Sequence, residues 1–111
     1  MKIHRYRIYY TVFRFDETPV DKVTAVVGYC EEQAVALLKL YMKYRREDFE
    51  ITEIRLIPFK KTSMFENKES YEKYLKEQFQ MQIYAFPEYD WITFFKKKGI
   101  KDVYRVKEYE D

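Results

Sequence analysis

The fold of this chain is decided by residues 3–29, which read IHRYRIYYTVFRFDETPVDKVTAVVGY. Residues 3–15 and 22–29 are rich in Tyr, Ile, Val and Phe, and the polar segment 16–21 between them contains Pro19. Aromatic and β-branched residues favour strands, whereas proline and short acidic stretches interrupt them. The segment therefore predicts two antiparallel strands joined by a turn.

The even-numbered residues of the first strand predict how these two strands pair. Tyr6, Ile8, Tyr10 and Val12 form one apolar face, because alternate residues of a strand point to the same side. If Phe15 pairs with Lys22, this face meets apolar residues directly opposite in the second strand, which are Val23, Ala25, Val27 and Tyr29. We expect this register, because a slip of one residue would interrupt the apolar face.

The next elements predict a ββαβ unit. Residues 31–46 carry Ala34, Leu37 and Leu38 at helical spacing, with acidic residues in the first turn and basic residues in the last. Tyr41 and Arg45 fall on the same side of this helix. Residues 49–58 predict a third strand, in which Ile54 and Leu56 share one face while Glu53, Arg55, Ile51 and Ile57 share the other.

The second half of the chain predicts helices. Ser63 and Glu66 have the spacing of a capping box, which predicts a helix over residues 65–83. A short helix over 88–98 and a final strand over 101–109 follow. We therefore expect a single α+β domain over residues 1–111, with a mainly antiparallel sheet of three or four strands. The first helix covers one sheet face, and the C-terminal helices pack on the other face or at an edge.

Composition bounds the class of protein. With 47% hydrophobic and 36% charged residues, the chain has enough apolar content to fold. Cys30 is the only cysteine, which excludes an internal disulfide framework and is typical of a reducing compartment. The N-terminus shows no apolar signal region, and no uncharged stretch approaches the roughly 20 residues that span a bilayer. We expect a cytoplasmic protein without membrane attachment.

Few catalytic motifs can be formed from these residues. His4 is the only histidine, and a Cys30–His4 pair is conceivable because the predicted register brings both to one end of the sheet. Glu31 and Glu32 follow Cys30 and oppose thiolate formation, so we interpret the pair as a buried or half-buried thiol and a surface histidine. One His and one Cys cannot form a structural zinc site, and two glycines cannot form a phosphate-binding loop. We expect no enzyme activity, no cofactor and no metal.

Paired carboxylates are the enzyme route that remains hardest to exclude. Glu88 and Asp90 stand beside Tyr89 and Trp91, as in the wall of a carbohydrate or base site. In the simpler interpretation, one carboxylate caps the short helix and the aromatic residues belong to the core.

The other face of the first strand is basic and aromatic. It carries Arg5, Arg7, Tyr9 and Phe13, and Arg55 joins it from the third strand. Arginines interleaved with aromatic rings on a sheet face can hold single-stranded nucleic acid. Glu53 on the same face would repel phosphate, and a net charge of +2 gives little steering. The alternative is that the C-terminal helices cover this face.

Aromatic content favours a protein-binding role. Twelve Tyr and nine Phe exceed what a core of this size readily buries, and Tyr, Phe, Trp, Met and Arg are enriched in interfaces. We expect a non-enzymatic binding protein that acts through a protein–protein surface, with a protein partner or a second copy of itself. Its size and composition fit an accessory factor of a phage or mobile element, such as an inhibitor of a host system. Single-stranded nucleic-acid binding is the alternative.

Overall fold

The computed structural model describes residues 2–87 and confirms an α+β fold. Its elements run in the order β1 (His4–Phe13), β2 (Val20–Gly28), α1 (Glu31–Arg45), β3 (Asp48–Ile57) and α2 (Lys68–Ala85). The predicted helix over residues 88–98 and the predicted strand over 101–109 lie outside the described residues.

The three strands form one antiparallel sheet in the order β2-β1-β3. Since β2 and β3 both run antiparallel to β1, they are parallel to each other on its two sides. Parallel strands need a crossover connection, and α1 supplies it. The helix therefore passes over β1 and covers one face of the sheet.

The predicted pairing of β1 with β2 is wrong by five residues. Tyr10 lies opposite Lys22 rather than Val27, and Val12 lies opposite Val20 rather than Ala25. The turn comes earlier than predicted: Glu17 donates its backbone N–H to the Arg14 carbonyl, and the chain reverses there. Because β2 has valines at both odd and even positions, alternation alone could not choose the register.

The shift changes which β2 residues face α1. The covered face, as we call the α1 side, contains the even residues of β1, with Thr24 and Val26 opposite them. Tyr6 and Ile8 are fully buried there against the apolar side of α1, formed by Ala34, Leu37, Leu38 and Met42. Burial of each large apolar side chain contributes about 1.5–3 kcal/mol, so this contact holds the fold together.

A β-bulge in β3 corrects a second prediction. The pairing of β1 with β3 shifts between Tyr9 and Tyr10, so that Tyr9 opposes Glu53 but Tyr10 opposes Ile51. Thr52 is the extra residue, and its hydroxyl donates to the Tyr9 carbonyl at 3.2 Å. The bulge moves Ile51 to the covered face, whereas simple alternation had placed it with Glu53 and Arg55.

The second helix begins later than the Ser63–Glu66 spacing predicted. Asn67 is its N-cap: the Asn67 side chain accepts from the Ser70 backbone N–H at 2.8 Å, and Ser70 completes a reciprocal capping box. Ser63 instead lies in a turn where the Thr62 hydroxyl accepts backbone N–H groups from Met64 and Phe65. The helix therefore starts at the Asn67–Ser70 capping box and not at the Ser63–Glu66 spacing, because only the former pair makes the reciprocal hydrogen bonds of a capping box.

The second helix packs at the end of the sheet where β1 begins, and at the β2 edge. The Tyr71 hydroxyl donates to the Ile57 carbonyl at 3.0 Å, and the Phe79 ring meets that of Tyr29 edge-on. The Gln82 amide bonds both backbone groups of Val27, accepting from its N–H at 3.0 Å and donating to its carbonyl at 2.6 Å. A side chain thus takes the place of a neighbouring strand at this edge.

Candidate binding surface

The open face, as we call the sheet face opposite the covered face, contains every residue of the predicted binding surface. Directly opposed residues share a face, so the register places the odd residues of β1 together with partners from both neighbouring strands. Its central part consists of Ala25, Arg7 and Arg55 in one row, Val23, Tyr9 and Glu53 in the next, and Asp21, Thr11 and Glu50 in a third.

Two arginines lie side by side at one end of the open face. Arg7 and Arg55 are direct cross-strand partners and both are exposed. Arg55 donates its Nε–H to Glu53 at 2.8 Å, which raises the pKa of the guanidinium, and its guanidinium carbon lies 5.5 Å from the centroid of the Tyr9 ring. Arg7 makes no ion pair with any residue between 2 and 87. Like charges directly opposite each other destabilise a sheet, and among the described residues only Arg55 of this pair is offset by a carboxylate.

The other predicted surface residues lie on the same face with different surroundings. The Arg5 guanidinium lies 5.8 Å from the centroid of the Tyr74 ring, so α2 reaches the face at this point. Phe13 lies at the opposite end and is 43% exposed. The structure thus brings Arg7, Tyr9 and Arg55 together, while Arg5 packs on the helix.

Sequence reasoning missed an acidic end on the same face. Asp21, Glu50 and Asp48 lie opposite Thr11 or Phe13 of β1 and are all exposed. The Thr11 hydroxyl donates to Asp21 at 2.7 Å. Alternation counted back from Glu53 would assign Glu50 to the covered face, and the bulge at Thr52 reverses that assignment. A correct turn position and the bulge would both have been needed to find this cluster.

The Cys30–His4 pair does not have the environment of a nucleophilic site. His4 is buried, with 2% of its surface exposed, rather than at the surface as expected. Burial raises the pKa of the Cys30 thiol, mainly by desolvation. His4 lines a cavity of about 310 Å³ between the end of β1 and α2, and Cys30 is not among the residues that line it. The thiol is therefore kept in its less reactive protonated form.

Residues 2–87 hold neither a metal-binding cluster nor a membrane-spanning helix. In that range no group of three or more His, Cys, Asp or Glu side chains is placed to hold a metal ion. No helix among these residues has the length and apolar character needed to cross a bilayer. Glu88, Asp90 and Trp91, the predicted carboxylate site, lie outside the described residues.

Comparison of the chain with protein-family models, with curated proteins and with solved structures found no match.

Proposed function

We propose that this protein is a non-enzymatic, cytoplasmic binding protein that acts through a protein–protein surface, and that the open face is that surface. The observation that carries the proposal is the exposed row of Arg7 and Arg55 beside Tyr9 and Val23. Val23 is 55% exposed, and an apolar and aromatic centre flanked by charges is the usual composition of an interface.

The cross-strand arginines give the surface a preference. Arg7 lies opposite Arg55, whose charge Glu53 already offsets in part, so a carboxylate bound at Arg7 would relieve the remaining repulsion between the two arginines. Arg is enriched among residues that dominate binding energy. An acidic protein surface is therefore the partner chemistry that we propose. A role as a phage or mobile-element factor that inhibits a host system is consistent with this surface and with the small size of the chain.

Site-specific photocrosslinking tests the proposal. The photocrosslinker p-benzoylphenylalanine replaces Val23 on the open face or, as a matched control, Tyr44, which is 80% exposed on α1. We expect protein adducts from the Val23 position in lysate of the source cells, and fewer when Arg7→Glu is added. Adducts of equal yield from both positions, or adducts that do not change with Arg7→Glu, would contradict the proposal.

Single-stranded nucleic-acid binding is the second candidate, because phosphate would also relieve the Arg7–Arg55 repulsion. Tyr9 could then stack on a base. Glu53 and the acidic end of the face oppose it, since they lie within the same three-strand surface. Fluorescence anisotropy of a labelled oligonucleotide at low and high salt separates the two candidates: salt-sensitive binding lost in Arg7→Glu supports nucleic acid, and no binding at low salt removes it.

A further inference from the structure

Charge is separated along the open face. Arg7 and Arg55 occupy one row, whereas Asp21 and Glu50 occupy the row four residues further along β1, beyond the row of Tyr9. Asp48 adds a third carboxylate beyond them, opposite Phe13. Among residues 2–87, none of these three carboxylates forms an ion pair. One surface thus carries a basic end, where Arg55 is paired with Glu53 but Arg7 forms no ion pair among residues 2–87, and an acidic end without ion pairs in the same range.

We propose that the partner of the open face is a second copy of this chain, in a symmetric dimer in which the two open faces stack on each other. The two-fold axis lies between the two sheets, parallel to their planes and perpendicular to the strands, along the row of Tyr9. This inference rests on the proposed function and specifies the partner. A two-fold axis makes an interface self-complementary, so each basic end must find its counterpart on the same surface of the other copy. The acidic end is that counterpart.

Two open faces can stack about a two-fold axis either perpendicular or parallel to the strands, and the positions of the charges favour the perpendicular axis. Rotation about an axis perpendicular to the strands places the Arg55 row of one copy over the Glu50 row of the other, and this contact occurs twice. Rotation about an axis parallel to the strands would place the arginine row of one copy over the arginine row of the other, and the acidic row over the acidic row. Such contacts between like charges cost several kcal/mol. Only the first arrangement pairs opposite charges at both ends.

The centre of the face suits such a contact. In the proposed dimer Tyr9 meets Tyr9 of the second copy, and the exposed Val23 meets Val23. Glu53 also lies in this row and meets Glu53 of the second copy, and the ion pair of each Glu53 with Arg55 at 2.8 Å offsets part of the charge of both residues. Aromatic and valine side chains at the axis give apolar contact, and the charged rows on either side set the orientation.

The size of the face predicts a weak dimer. Its longest strand has 10 residues, and three strands of that length project over roughly 450 Å² at about 3.3 Å per residue and 4.8 Å between strands. Stable interfaces bury about 800 Å² on each partner. We therefore expect association in the micromolar range or weaker, with strong dependence on salt.

Sedimentation velocity with charge-reversed variants tests the inference. One variant, R7E/R55E, makes both ends of the face acidic, and a second, D48K/E50K, makes both ends basic; Asp21 stays because it accepts the Thr11 hydrogen bond. We expect the wild type to dimerise as its concentration rises. Each variant alone is expected to self-associate at least about tenfold more weakly than the wild type. An equimolar mixture of the two variants is expected to dimerise again, because both ends of a mixed pair are complementary.

The controls separate this inference from the proposed function. Lys39→Glu/Lys73→Glu changes the charge equally at two exposed positions on α1 and α2, and we expect it to dimerise like the wild type. Circular dichroism checks that each variant folds. A wild type that stays monomeric at all concentrations, or a mixture that does not associate, overturns the second-copy inference. Photocrosslinks from Val23 to a different protein would then leave the proposed function standing, and would assign the face to that protein.

Discussion

The two faces of the sheet share the same three strands but have opposite properties. Along β1, Tyr6 and Ile8 are completely buried under α1, while Arg7 between them is exposed. The centre of the covered face is apolar, and α1 packs on it. The open face combines aromatic and apolar side chains with two ends of opposite charge. The face under α1 therefore supplies the core, whereas the open face carries exposed charged side chains.

Their electrostatics differ in the same way. Glu47, at the junction of α1 and β3, accepts hydrogen bonds from Arg45 at 2.6 Å and Arg14 at 2.9 Å. Asp48 and Glu50, which follow within three residues, have no such partner between residues 2 and 87. Glu47 is thus held by two arginines of the chain, whereas Asp48 and Glu50 on the open face form no ion pair among residues 2–87.

The largest effect tests the contrast between the faces directly. Ile8→Ala on the covered face is expected to lower the free energy of unfolding by about 3 kcal/mol, because it leaves a cavity in a fully buried site. Val23→Ala on the open face is expected to change it by about 0.5 kcal/mol or less. Urea denaturation measures both. Equal losses would mean that the open face is also part of the core.

The second effect concerns how the sheet edge next to α2 is closed. Gln82→Ala removes both hydrogen bonds to the Val27 backbone. We expect a loss of about 2 kcal/mol, together with faster hydrogen exchange at the Val27 amide. Gln80→Ala, an exposed position two residues earlier on the same helix, is the matched control. If the two variants exchange alike at Val27, α2 does not protect this edge.

The third effect compares two proposed helix starts. Asn67→Ala is expected to cost about 1 kcal/mol, because it removes the side chain that caps α2. Ser63→Ala is expected to be neutral, since the structure places Ser63 outside the helix in an exposed turn. Thermal unfolding followed by circular dichroism compares them. A larger loss for Ser63→Ala would restore the earlier helix start that the Ser-x-x-Glu spacing predicted.

These corrections show which features local sequence could predict. The predicted bounds of α1 were correct except that the helix ends one residue earlier, at Arg45. The spacing of its apolar residues and the charges at its two ends both indicated the same helix. The buried residues of α2, which are Tyr71, Leu75 and Phe79, likewise recur at helical spacing within the helix predicted over residues 65–83. Both signals lie within a few residues of each other along the chain. Tyr41 is the exception on α1, since it is 39% exposed.

The features that sequence could not predict depend on distant residues. The hairpin register depends on where the chain turns, and β2 offers apolar residues at both parities. The bulge at Thr52 depends on how β3 meets Tyr9, more than 40 residues away along the chain. The basic half of the open face was found because Arg5, Arg7 and Tyr9 lie on one strand. Its acidic half comes from two other strands, and only the correct pairing brings Asp21 and Glu50 together.

The smallest effect is the pH dependence of the paired carboxylate. Hydrogen bonds from Arg45 and Arg14 hold the pKa of Glu47 below its ordinary value. A carboxyl whose pKa is lower in the folded state stabilises the fold above its unfolded pKa, and this contribution is lost as pH falls through the folded pKa. The melting temperature of Glu47→Gln should therefore lie below that of the wild type at neutral pH and converge with it in acid. Glu50→Gln is the matched control on the open face, and its melting temperature at neutral pH should be close to that of the wild type because Glu50 forms no ion pair among residues 2–87. If the difference in melting temperature between the wild type and Glu47→Gln did not change with pH, the substitution would affect only packing or hydrogen bonding. The charge of Glu47 would then contribute nothing to stability.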